Sequence, residues 1–165
     1  MIEKEIVYKQ NVVVLLYADS KNNALIEARK FFPALQKIDP TIESFEPQTM
    51  TPYPATAPKG KSLIKKAVAK TRQELREHLK IIQNYCLKKS LSKLSKEVWL
   101  DKENMFWSFL QSCFAVSDTH GRSNFLFAPN CQGIKTKKDL QIALKSHPPN
   151  KKVWVVQFCL RYYTE

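Results

Sequence analysis

Six apolar residues in a row, Val12-Val13-Val14-Leu15-Leu16-Tyr17, form the first clear element of the chain. A β-branched run without polar alternation is the pattern of a strand covered on both faces. Asp19 and Ser20 follow, and either side chain can accept from the unpaired amides of a helix start. Ala24, Leu25, Ala28, Phe31, Phe32 and Leu35 then recur at helical spacing. Pro33 has no amide donor, so it is expected to kink this helix or end it early. Asp39-Pro40 reads as a turn and Thr41 to Glu46 as a short strand, which makes residues 1–46 a first β-α-β unit.

Residues 47–61 carry prolines at 47, 52, 54 and 58 and read as an extended connector. A helical insertion is expected over 62–117. Its first part has the clearest periodicity in the chain: Ile64, Val68, Thr71, Leu75, Leu79, Ile82 and Cys86 keep one stripe on one face. Asp101 can cap a further helix carrying Met105, Phe106, Phe109, Leu110, Cys113 and Phe114.

Residues 118–165 are expected to form a second β-α-β unit. Phe125 to Phe127 reads as a strand, and Thr136 with Asp139 makes a capping box for a short helix bearing Leu140, Ile142, Ala143 and Leu144. In the last strand Trp154, Val156, Phe158, Leu160 and Tyr162 share one face, with Gln157, Cys159 and Arg161 on the other. The expected fold class is therefore α+β: two β-α-β units with a ferredoxin-like layout, separated by a helical insertion containing one long amphipathic basic helix.

Length and composition agree with one self-sufficient domain: 165 residues, 44% hydrophobic and 25% charged. Charge alters the picture more. The net charge is +12, and 12 of the Lys and Arg residues fall between Lys59 and Glu97 against Glu74, Glu77 and Glu97. Lys65, Lys66, Lys70, Arg72, Arg76, Lys80 and Lys88 project away from the apolar stripe, which points to a polyanionic partner: nucleic acid, DNA or RNA, or an acidic protein. A solvated helix face would account for the same residues without any partner. An anionic lipid surface fits less well, because the stripe lacks the bulky aromatic face of an interfacial helix.

Discrete chemistry is sparse. Cys86, Cys113, Cys131 and Cys159 are far apart in sequence with no CxxC pairing, and they read as small buried hydrophobes; no metal site and no cofactor are expected. There is no GxxxxGK[ST], GxGxxG, HExxH or GxSxG, and with three glycines in total nucleotide hydrolysis by a phosphate-cradling loop is excluded. Tyr17, Phe125 and Phe127 would lie on strands, where aromatics can stack bases; core packing is the simpler reading. Asp118, His120 and Arg122, in a polar loop around Gly121, are the residues of an alternative reading as a small hydrolase or nuclease. His78 and His147 have no ligand-like neighbours. The start carries charges of both signs and the 12–17 run is too short to span a bilayer, so a cytoplasmic, non-catalytic nucleic-acid-binding accessory protein is the expected function. An adaptor for an acidic protein partner is its competitor.

Overall fold

The computed structural model describes residues 6–46, 50–87 and 124–163. Its centre is a pair of long antiparallel strands, β1 (Ile6–Ala18) and β5 (Lys152–Tyr163), in register from Tyr8↔Tyr162 to Ala18↔Lys152. β2 (Ile42–Phe45) and the two-residue β3 (Tyr53–Pro54) both pair antiparallel with the outer edge of β5, and β4 (Leu126–Phe127) pairs parallel with β1. The sheet order is β2-β5-β1-β4. With the helices α1 (Lys21–Ile38), α2 (Pro58–Leu87) and α3 (Lys137–Lys145), the described residues form a mixed α+β fold with a five-stranded sheet.

β1 is covered on both sides, as its unbroken apolar run requires. Val12, Val14 and Leu16 face α1 and pack with Ala28, Phe31, Leu35, Phe158 and Leu160. Val13 and Leu15 face the other way and pack with Leu63 and Ala67 of α2, Ala143 of α3, and Val153 and Val155. β5 follows the alternation expected of it: Val156, Phe158, Leu160 and Tyr162 sit in the first cluster, Val153 and Val155 in the second. The result is three layers, with α1 on one face and α2 and α3 on the other.

The caps are local. Ser20 accepts from the Asn23 amide at the start of α1, and Thr136 accepts from the Asp139 amide at the start of α3. Pro33 does not end α1, which continues to Ile38. Both Pro33 and Arg29, whose carbonyl loses its donor, are exposed, so water can replace the missing bond. Buried Asp39 closes the next turn by accepting from the Thr41 amide at 3.1 Å, and Gln36 ties α1 to β2 by donating to the Ile42 carbonyl at 3.1 Å.

Three expectations change. Helix α2 begins at Pro58, inside the expected connector, because proline suits a first turn whose amides have no helical partner. Among its described side chains the buried apolar ones are Leu63 and Ala67, flanked by half-buried Ile64 and Val68, while Leu75 is 38% exposed. The packed face is thus rotated toward Leu63, and the stripe is not buried along its whole length. The third change concerns residues 124–163, where β4 and β5 run in opposite directions on either side of β1. β4 leaves the sheet at the end where β5 enters it, so the nine-residue α3 crosses over that end. It does not return a parallel strand. In the first unit β1 and β2 are parallel, with β5 between them. The expected helix over Met105–Phe114 lies outside the described residues.

Gly60 fixes where α2 meets the sheet. A Cβ there would stand 2.1 Å from the Pro54 carbonyl oxygen and 3.2 Å from the Ala55 Cα, both backbone atoms. Gly60→Ala gains about 1 kcal/mol of helix propensity, but overpacking costs about 1–3 kcal/mol. A net loss of stability is expected in urea unfolding. A variant as stable as the parent would show that α2 and β3 separate freely.

Candidate nucleic-acid interface

The basic residues of α2 were placed by the sequence on the face opposite the packed one, and most of them are there. Lys65, Lys66, Lys70, Arg72, Arg76 and Lys80 are all exposed. At ~100° per residue, Lys61, Lys65, Arg72 and Arg76 lie within about 60° of one another, directly away from Leu63 and Ala67. From Lys61 to Arg76 this ridge is about 22 Å long, comparable with the axial rise of six or seven nucleotides of duplex strand. Lys66 and Lys70 lie on the flank toward β4, where the Lys70 ammonium stands 6.0 Å from the centre of the Phe125 ring. Lys88 lies outside the described residues, as do Asp118, His120 and Arg122.

Among the described residues no carboxylate pairs with Lys65, Lys66, Lys70, Arg72, Arg76 or Lys80; the ion pairs are Lys9–Glu46, Lys30–Glu27 and Arg161–Glu46. Glu77, on the helix itself, accepts from the Gln73 amide group at 3.2 Å.

The fold adds a second group of lysines. Residues 135–152, which contain α3 and the turn into β5, carry six Lys against Asp139. They lie on the same side of the sheet as α2, which carries eight Lys and Arg against Glu74 and Glu77. Together the two segments supply +11 of the net +12, whereas residues 19–46, with α1 and β2, hold four basic and five acidic residues. Among the described residues, net positive charge is therefore concentrated on one side of the sheet. Sequence reasoning found only the α2 part, because nothing in the spacing says which face a short helix takes.

Of the three aromatics considered for base stacking, Phe125 is half-buried beside Lys70 and the other two are engaged within the fold. Phe127 is 1% exposed within the core, and half-buried Tyr17 donates its hydroxyl to the Ala143 carbonyl at 2.6 Å. Burial pushes the Tyr17 phenol above its ordinary range. His147 stands edge-on to Tyr17, with ring centres 6.3 Å apart, and its Nδ1 donates to the Pro148 carbonyl at 3.0 Å. Cys131 and Cys159 are free thiols raised by burial, so neither is an activated thiolate near neutral pH. Among the described residues no group of three His, Cys, Asp or Glu could hold a metal ion, and no helix is long and apolar enough to cross a membrane.

A smaller charged cluster lies on the sheet, where Glu46 joins Arg161 at 2.7 Å and Lys9 at 3.2 Å. The Arg161 hydrogen bond first, and Lys9 second, hold the Glu46 carboxyl below its ordinary value. No protein-family model, curated protein or solved structure matches this chain.

Because the Glu46 pKa is depressed in the folded state, its stabilisation is complete above the ordinary carboxylate range and disappears as pH falls through the folded value. Urea unfolding of Glu46→Gln at pH 7, 5 and 3 should show a shallower loss of stability on acidification than the parent. Identical slopes would mean that the cluster contributes nothing to acid sensitivity.

Proposed function

We propose that this chain is a non-catalytic nucleic-acid-binding accessory protein that sits on the phosphate backbone through the basic ridge of α2. The observation that carries this reading is the row of exposed side chains, Lys65, Arg72 and Arg76 at its centre, with no described carboxylate against them. Each phosphate contact displaces condensed counterions, so several cations acting together give an affinity that solubility alone would not require. The ridge is made of flexible charged chains without a fixed array of amides or aromatics. It therefore suits positioning on phosphate more than reading of base edges. The lysines of residues 135–152 on the same side enlarge the positive field that draws the polyanion in. The reading places the protein in the cytosol, in keeping with the free thiols of Cys131 and Cys159.

Affinity for a labelled DNA or RNA duplex should fall linearly in log-log form as salt rises. Arg72→Glu combined with Arg76→Glu should lower the magnitude of that slope by about two while the thermal transition stays in place, since both residues are exposed. Unchanged binding in the folded double variant overturns the proposal.

A further inference from the structure

A groove of about 720 Å³ runs between α2 and α3. Its walls are Ile64 and Val68 on one side and Leu140 and Leu144 on the other, with Val153 of β5 in the floor. These side chains are only partly covered by their own core, apart from Val153. The rim is of one sign: Lys61 and Lys65 border the groove from α2, Lys152 from the start of β5, and His147 closes its end. Among the described residues no carboxylate lines it.

We infer that this groove docks an acidic amphipathic helix of a partner protein. The inference goes beyond binding along the α2 ridge, since it uses the apolar flank of α2 that faces α3; Lys61 and Lys65 border both surfaces, whereas Arg72 and Arg76 belong to the ridge alone.

Charge and shape restrict the occupant. A nucleobase or a small polar ligand entering the groove would lose its hydrogen bonds to water, and the apolar walls return none. A helix satisfies its own backbone and needs only apolar side chains on the buried face. The α2 wall from Lys61 to Val68 is about 10 Å long, or two helical turns, which matches apolar residues at positions i, i+3 or i+4, and i+7 of the incoming helix. Glu or Asp residues flanking that stripe would meet ammonium groups from two separate elements, α2 and β5. Acidic flanks also discriminate against the basic or neutral amphipathic helices that an apolar groove alone would accept.

The test uses a fluorescein-labelled synthetic peptide of about 15 residues, long enough for a helix. It carries Leu at i, i+3 and i+7 with Glu elsewhere on the flanks, and a scrambled peptide of identical composition serves for comparison. Anisotropy titration of the full chain should show the patterned peptide binding at least about tenfold more tightly than the scramble. Lys61→Glu with Lys152→Glu, both at exposed positions, should weaken it by about tenfold or more. The same charge change on the opposite side of the sheet, Lys21→Glu with Arg29→Glu, should weaken it far less. Val68→Gln should reduce binding as well, with thermal unfolding confirming that the variant is folded. Equal affinity for patterned and scrambled peptides overturns the inference. So does equal weakening by the two charge-reversal pairs, or displacement of both peptides alike by an oligonucleotide of the same charge, since each means that diffuse charge binds the peptide. None of these outcomes bears on the salt slope of nucleic-acid binding through Arg72 and Arg76, so the two readings can fail separately.

Discussion

The antiparallel ladder between β1 and β5 is the constraint on which the other elements depend. Its strands come from opposite ends of the chain, and each is buried on both faces where it crosses the core, at residues 12–16 and 153–156. Two long strands that each hide two apolar faces cannot be stable without a layer on either side. One layer is α1 through Phe31 and Leu35; the other is α2 and α3 through Leu63, Ala67 and Ala143. Even the shorter strands are additions to this pair, since β2 and β3 pair with β5 and β4 with β1. Trp154 pins one end of the ladder by donating to the Ala18 carbonyl across it at 3.1 Å.

Covering the ladder in this way decides where charge goes. A helix that packs one stripe must turn the opposite one to water, and in α2 that stripe is Lys and Arg. The lysines around α3 join it because α3 takes the same face. Two kinds of surface result on one side of the molecule: a convex ridge of cations on α2, and an apolar groove beside it whose rim is also cationic. On the two proposals made above, the ridge takes phosphate and the groove an acidic amphipathic helix.

Much of this was legible in the chain before any coordinates. The unbroken run at 12–17 and the alternation at 153–163 read correctly as strands because burial on two faces, or an ordered inside and outside, leaves a strong pattern. Thr136 read correctly as a cap, and Ser20 as one of two candidates with Asp19, because cap chemistry is local. The buried face of α2 was misplaced by part of a turn: Ala67 carries little hydrophobic signal, yet it lies flat against the sheet where a larger residue would not. The start of α2 was placed too late because Pro58 resembles the prolines before it. β3 is two residues long and owes its existence to the edge of β5, which no local pattern records. The groove was invisible for a similar reason, being a property of two helices and the strand beneath them.

The division of charge by the sheet has a further consequence for motion. With +11 carried by one side and a slight negative balance in the segment from Asp19 to Glu46, the described residues have an electrostatic axis through their layers. In the field of any extended polyanion such a body feels a torque as well as a pull. Such a torque acts from about a Debye length away and favours an approach with the α2 and α3 side toward the polyanion and α1 facing outward.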